Sequence, residues 1–92
     1  RAIALAPDNP GIQDTMGVIL LRRGDAAGAR QHLAKAAKAA PGRPDIQLNY
    51  AEALLAAGDP AAAREVLSDL PSENLPTAVQ RKRDQLAAKL DG

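Results

Sequence analysis

The chain has 92 residues, enough for one small domain, and its formal net charge at pH 7 is only +1. Alanine and leucine supply 33 of its 42 apolar residues, whereas isoleucine and valine together number seven, so the composition favours helices over β-sheet. The balanced charge argues against an electrostatic nucleic-acid binder, the lack of cysteine excludes disulfides and thiol catalysis, and no apolar run reaches the roughly 18–20 residues of a membrane span.

Short polar residues and glycines divide the first half of the chain into two helices. Asn9 is expected to cap a helix over about 10–23, which Gly24 should stop because glycine tolerates the left-handed conformation of a helix end. Asp25 is then expected to cap a second helix over about 26–40.

The same signals recur in the second half. Pro44 should open a third helix that Gly58 stops, and Asp59 should cap a fourth helix that Pro71 cuts short. These signals predict a second pair of helices like the first.

Both ends of the chain carry further helical segments. Residues 1–7 are expected to end a preceding helix. Ser72 or Asn74 is expected to cap a final helix, with Pro76 in its first turn, that runs to about Leu90. The sequence therefore predicts five full helices and one stub.

The chain repeats itself with a period of 34 residues. A shift by 34 leaves 11 of 34 positions identical: Pro10–Pro44, Ile12–Ile46, Gln13–Gln47, Leu20–Leu54, Leu21–Leu55, Gly24–Gly58, Asp25–Asp59, Ala27–Ala61, Ala29–Ala63, Arg30–Arg64 and Leu33–Leu67. Such self-similarity indicates a repeat architecture. We expect one repeat over 10–43 and a second over 44–74, with 1–7 ending an earlier repeat and 75–91 forming a capping helix.

Apolar residues at helical spacing predict the buried faces. They are Ile12, Met16, Ile19, Leu20, Leu33, Ala36 and Ala37 in the first repeat, and Ile46, Tyr50, Ala53, Leu54, Val66, Leu67 and Leu70 in the second. Gly17 lies within a helix, where glycine costs about 1 kcal/mol relative to alanine. We therefore expect Ala29 to approach Gly17 closely, and Ala63 to approach Ala51 in the same way.

This arrangement resembles the tetratricopeptide (TPR) repeat family, in which large and small residues alternate around a turn glycine and a closing proline. The residues that carry the resemblance are Met16, Gly17, Leu20, Gly24, Ala29, Leu33, Ala36 and Pro41, then Tyr50, Ala51, Leu54, Gly58, Ala63 and Leu67. The sequence departs from the family pattern at Leu70 and Leu75, and glutamine replaces the usual aromatic at Gln13 and Gln47.

The resemblance implies an all-α, right-handed superhelical solenoid of antiparallel helix pairs, closed here by the capping helix. It also implies a non-catalytic protein–protein interaction module whose concave face, formed by the first helix of each pair, binds a partner segment. The segment Asp14–Gly17 and the residues before it further resemble C-terminal regions of bacterial TPR proteins of exopolysaccharide and protein-sorting systems. We therefore expect the C-terminal TPR part of a larger bacterial protein, with the periplasm or cell envelope favoured over the cytoplasm.

Helical spacing opposite the apolar stripe selects candidate partner contacts on the concave face: Asp14, Val18, Arg22, Asp45, Leu48, Asn49 and Glu52. TPR proteins that bind chaperone tails hold a terminal carboxylate with Lys, Arg and Asn. Asn49 fits that pattern, but Asp14 and Leu48 stand where lysine is needed, and Asp14 and Glu52 would repel a carboxylate. We expect instead a groove for an extended or helical segment with apolar anchors. The alternative is an architectural spacer of a bacterial cell-envelope complex, for exopolysaccharide or secretion, without a peptide site.

The other polar residues predict no catalytic, cofactor or metal site. His32 is the only histidine, and no nucleophile has a base beside it. The basic cluster 81–83, with Lys89, is expected to be a solvated face of the capping helix, with contact to an acidic peptide as the alternative. Nucleic acid is not expected, because Tyr50 is the only aromatic that could stack on a base.

Two further expectations concern the ends of the chain. Val79, Leu86 and Leu90 should dock the capping helix on the second pair. Ile3 and Leu5 should leave an apolar N-terminal edge that favours self-association. Direct membrane insertion is not expected.

Overall fold

The computed structural model describes residues 9–71 and 74–91, with only the backbone of Asp91. Five helices follow one another in this part of the chain: α1 (Pro10–Arg22), α2 (Ala26–Ala39), α3 (Pro44–Ala56), α4 (Pro60–Ser68) and α5 (Thr77–Asp91). The described residues form no strand, and consecutive helices pack on each other, which confirms the all-α helical-repeat prediction. The predicted stub at 1–7, with its apolar edge, lies outside the described residues, and the division into repeats stays a prediction.

Helices α1, α2 and α4 begin where their capping residues predict. Oδ1 of Asn9 accepts hydrogen bonds from two N–H groups in the first turn of α1, at 2.9 and 3.2 Å. Asp25 and Asp59 each accept one such bond, at 2.9 and 3.2 Å, at the starts of α2 and α4. These bonds satisfy N–H groups that have no partner within the helix.

Equivalent turns join the two helices of each pair. Gly24 and Gly58 have φ values of +88° and +86°, in the left-handed region that favours glycine. At the first turn, the N–H of Asp25 donates to the carbonyl of Leu20 at 2.9 Å, and the N–H of Gly24 donates to the carbonyl of Leu21 at 3.1 Å. This is a Schellman motif, and the second turn repeats it with the same two distances. One aspartate therefore closes a helix end and caps the next helix.

Helix α3 is at the centre of the fold, because it packs against each of the other four helices. Tyr50 on α3 contacts all three groups of buried residues. Those groups are Ala29, Leu33 and Ala53; Ala36, Ala37 and Ile46; and Leu48, Ala51, Leu54, Ala63 and Leu86. Since helices of 9 to 15 residues are marginal in isolation, this burial is what stabilises them.

Helix α1 buries a different side from the predicted one. Met16 and Ile19, expected in the core, are 42% and 47% exposed, whereas Gln13 and Gly17 are the buried residues of α1. The polar Gln13 can be buried because its Oε1 hydrogen-bonds Nδ1 of His32 on α2 at 2.6 Å. Of the predicted stripe, Leu20 does pack against Ala29 and Leu33 of α2. Met16 and Ile19, however, lie on the exposed side of α1, so the prediction that these two are core residues is wrong.

The small residue at Gly17 is required by a different neighbour from the predicted one. A Cβ built at Gly17 would lie 2.4 Å from Cγ of Leu33, and the three closest atoms all belong to Leu33 and none to Ala29. Leu33 reaches further across the interface than Ala29, so its side chain fills the space over the glycine. In the second pair, Ala51 and Ala63 do lie in one buried group.

Gln47 occupies the position of Gln13 in the second pair and also contacts α2. Its Nε2 donates to the carbonyl of Ala37 at 3.0 Å and to that of Ala40 at 3.4 Å. Ala37 lies in the last turn of α2 and Ala40 directly follows it, where carbonyls have no partner within the helix. At both positions where the family has an aromatic residue, this chain has an amide that hydrogen-bonds a neighbouring helix.

Helix α5 covers the open side of α3 and α4. Leu86 is 3% exposed and packs in one group with Leu48 and Leu54, and Val79 and Leu90 pack against the same group. The predicted docking of α5 through Val79, Leu86 and Leu90 is confirmed. None of the described helices combines the length and the apolar composition that a membrane span requires.

The start of α5 differs from the prediction. The helix begins at Thr77, and the carbonyl of Pro76 accepts from the N–H of Gln80 at 3.0 Å, so Pro76 precedes the first turn. Asn74, with a φ of 63°, lies three residues before the helix, too far away to cap it. Ser72 lies outside the described residues.

Replacing Gly17 by alanine tests the α1–α2 packing. The added methyl group must displace Leu33, so Gly17→Ala should lower the free energy of unfolding by about 1–3 kcal/mol, despite the better helix propensity of alanine. Gly42→Ala is the control, because a Cβ there meets no atom within 4 Å. If urea unfolding gives Gly17→Ala a free energy of unfolding equal to or above that of the parent, the close approach of Leu33 to Gly17 is wrong.

Shortening Leu86 tests the role of α5 in the core. Leu86→Ala should cost about 2–5 kcal/mol, as for other large-to-small changes at buried sites. The neighbouring exposed Gln85→Ala should change stability by less than about 0.5 kcal/mol. Equal thermal melts of the two variants would mean that α5 is an appendage that does not support α3 and α4.

Candidate partner-binding face

Helices α1, α3 and α5 form one layer of the molecule, which we call the inner face. Helix α3 contacts α1 on one side and α5 on the other, while α2 and α4 each bridge two consecutive members of this layer. The predicted concave-face contacts all lie on α1 and α3. The structure adds α5 as the third helix of the same face.

Four polar side chains link the three helices of the inner face. Nδ2 of Asn49 on α3 donates to Oδ1 of Asp14 on α1 at 2.9 Å. Nζ of Lys82 on α5 donates to Oδ1 of Asn49 at 2.6 Å and forms an ion pair with Oε1 of Glu52 at 2.8 Å. We call Asp14, Asn49, Lys82 and Glu52 the polar bridge; it ties α1 and α5 to the central helix.

The polar bridge changes the part that the two carboxylates play. On the sequence, Asp14 and Glu52 were expected to repel an anionic ligand. In the structure, Lys82 neutralises Glu52, and the amide of Asn49 occupies one oxygen of Asp14. These side chains pair with each other, so a ligand at the inner face meets charges and hydrogen-bonding groups that are largely engaged already.

The remaining predicted contacts on α3 and α1 differ in accessibility. Leu48 is 1% exposed and packs in the buried group that contains Leu86, although it also borders a cavity between α3 and α5, so its contact with a partner stays a prediction. The spacing on α3 alone could not show that α5 covers this position. Val18 is half-buried on α1, and it lines none of the described cavities that border the inner face.

Asp45 is accessible but already paired. Its carboxylate accepts from Nη2 of Arg43 at 2.8 Å and from Nε at 3.2 Å. This two-point contact with Arg43 lowers the pKa of the Asp45 carboxyl, and Asp45 raises the pKa of the guanidinium in return. Asp45 and Asn49 also border a narrow cavity of about 180 Å³ between α3 and the first turns of α5.

The larger cavity of the inner face brings predicted and unpredicted residues together. It has a volume of about 370 Å³, and Arg22 of α1 and Glu52 of α3 line one part of it. The rest of its lining comes from α5: Ala78, Arg81, Lys82, Gln85, Leu86 and Lys89. Four cations and one carboxylate therefore surround one space on the inner face.

Sequence reasoning left the α5 residues out of the predicted concave face, because it assigned the basic cluster to a solvated side of the cap and kept contact with an acidic peptide only as the alternative. The signal was the 34-residue period, which places a third opening helix near residue 78. Arg83 points away from Arg81 and Lys82, since it pairs with Asp84 at 3.3 Å and lines a separate cavity beside α4. The cluster therefore splits, as the 100° step between helical residues requires.

The described residues show no arrangement for metal chemistry. No three of their His, Cys, Asp and Glu side chains gather where an ion would bind. His32 hydrogen-bonds Gln13 at the α1–α2 contact, away from the inner face.

Comparison with known families identifies the repeat. Residues 20–90, well over half of the chain, match the family model described as tetratricopeptide repeat. Neither the curated proteins nor the solved structures give a significant match. The tetratricopeptide repeat is in general a scaffold for protein interactions that carries no catalysis of its own, and its members bind protein partners.

Removing the amide of Asn49 tests the polar bridge. Asn49→Ala loses its contacts with both Asp14 and Lys82, so it should lower the free energy of unfolding by about 1–2 kcal/mol. Glu52→Gln breaks only an ion pair whose side chains are 36% and 39% exposed, and should cost less than about 1 kcal/mol. If chemical denaturation gives Asn49→Ala the smaller loss, Asn49 does not connect the three helices.

Proposed function

Since the chain belongs to the tetratricopeptide repeat family, we propose that it is a non-catalytic protein–protein interaction module that binds a partner segment on its inner face. The observation that carries this proposal is the cavity of about 370 Å³ lined jointly by α1, α3 and α5. A cavity of that size accepts a few side chains of a partner and does not enclose a whole domain.

The geometry of the face supports a segment as the ligand. The polar bridge holds α1, α3 and α5 together, so the helices that carry the lining residues are positioned before a partner arrives. A preorganised backbone reduces the conformational entropy lost on binding. Ala78 and Leu86 supply apolar wall, and the cations and Gln85 supply polar contacts, which together suit an amphipathic segment, extended or helical.

The setting is part of the same proposal. The resemblance of the segment Asp14–Gly17 to bacterial TPR proteins of exopolysaccharide and protein-sorting systems supports a place in a cell-envelope assembly. The alternative is an architectural spacer. In that case the inner face would bind no ligand, and the chain would only hold other parts of the assembly in place.

Selection of peptides from a random displayed library tests the proposal. Peptides that bind the purified chain should shift backbone amide resonances of α1, α3 and α5 in preference to those of α2 and α4. Failure to select any peptide, or shifts confined to α2 and α4, would favour the architectural spacer.

A matched pair of variants on α5 sharpens this test. Ala78 and Ala88 are both exposed, but only Ala78 lines the cavity. Ala78→Trp should fill the cavity and weaken a selected peptide by about tenfold or more, whereas Ala88→Trp should change the Kd by less than about twofold. Equal affinities for the two variants would place the binding site elsewhere.

A further inference from the structure

The inner-face cavity concentrates positive charge on a nearly neutral chain. Its lining holds four cations, Arg22, Arg81, Lys82 and Lys89, and one carboxylate, Glu52, which gives a formal charge of +3. The whole chain carries +1, so all residues outside the cavity sum to −2. This uneven distribution produces a positive potential at the cavity, which the small net charge of the whole chain does not reveal.

Three of the four cations have no carboxylate partner among the described side chains. Lys82 is engaged by Glu52 and Asn49, at 2.8 and 2.6 Å. Arg22, Arg81 and Lys89, by contrast, take part in none of the ion pairs within 4 Å that the described residues form. The repulsion among these cations is relieved when an anionic ligand enters the cavity.

We propose that the partner segment is acidic and that its carboxylates bind Arg22, Arg81 and Lys89 in this cavity, an inference that rests on the proposed function. Guanidinium groups bind carboxylates through two parallel hydrogen bonds, so the two arginines orient the bound carboxylates as well as neutralise their charge. The aliphatic parts of the segment lie against the exposed Ala78 and the small accessible edge of Leu86. The site is separate from Asn49, whose amide is already used within the polar bridge.

The cavity favours a protein segment over a nucleic acid. Single-stranded nucleic acids are held by aromatic side chains that stack on the bases, and the only aromatic residue, Tyr50, packs against all three buried groups of the core. The apolar wall beside the cations also suits acidic residues interspersed with leucine or valine more than a sugar-phosphate backbone.

A defined peptide pair tests the charge of the partner. The probe is a labelled peptide of about a dozen residues in which Glu and Asp alternate with Leu and Val, and the control peptide has Gln and Asn at the acidic positions. The acidic peptide should bind at least about tenfold more tightly. Raising the salt from about 0.1 M to about 1 M shortens the Debye length from about 10 Å to about 3 Å and should remove most of that difference.

Charge reversal locates the site. Arg81→Glu with Lys89→Glu should weaken the acidic peptide by about a hundredfold, roughly tenfold for each contact. Lys35→Glu with Lys38→Glu makes the same change in net charge on two exposed residues of α2 and should leave the affinity within about threefold. Thermal melts of both double variants show that each remains folded.

The outcomes separate this inference from the proposed function. Equal binding of the acidic and the neutral peptide at the inner face, or equal loss in both double variants, overturns the acidic partner and leaves the interaction module in place. So does the failure of both defined peptides while library-selected peptides still bind α1, α3 and α5. A single-stranded oligonucleotide of equal charge that displaces the acidic peptide and binds more tightly overturns the choice of a protein partner.

Discussion

The packing of Leu86 of α5 over Leu48 and Leu54 of α3 is the contact on which the inner face depends. A helix pair in a repeat protein buries one apolar side internally and leaves another that only the next helix can cover. Helix α5 covers that side for α3 and α4. Because Leu86 faces the core, Arg81 and Lys89 are carried to the cavity on the inner face. One helix thus stabilises the last pair and supplies most of the basic lining of the candidate site.

The polar bridge and the apolar contact of α5 act on the same helix in different ways. Burial of Leu86 supplies most of the free energy, since apolar surface is removed from water, whereas ion pairs at half-exposed positions contribute little. The bonds of Asn49 with Asp14 and Lys82 instead fix how α1, α3 and α5 lie next to each other. Together with the ion pair between Lys82 and Glu52, they engage one cation and two carboxylates that would otherwise face a ligand. The charge left for a partner is therefore carried by Arg22, Arg81 and Lys89.

The sequence predicts the local features of this fold well, because they depend on residues close together in the chain. The caps at Asn9, Asp25 and Asp59 and the glycine turns follow from hydrogen bonds between residues two to five positions apart in the chain. The prediction that Met16 and Ile19 are buried fails because it depends on how helices pack against each other. Periodicity shows that a side of a helix is apolar or polar, but a helix distant in sequence decides which side is covered. The same limit hid the α5 cations, whose place beside Arg22 arises only when α5 packs on α3.

The central claim is that α5 packs on α3 as the third helix of the inner face, and methyl NOEs in the intact chain test it most directly. With leucine methyl groups labelled and assigned, Leu86 is expected to show NOEs to Leu48 and Leu54, with which it shares a buried group. Side-chain amide protons of Asn49 should show NOEs to the methylene protons of Lys82. The contrary result is that Leu86 methyl groups show no NOEs to α3 while α5 gives sharp, solvent-exposed signals. In that case α5 does not pack on α3, and the cavity lacks the cations that α5 supplies.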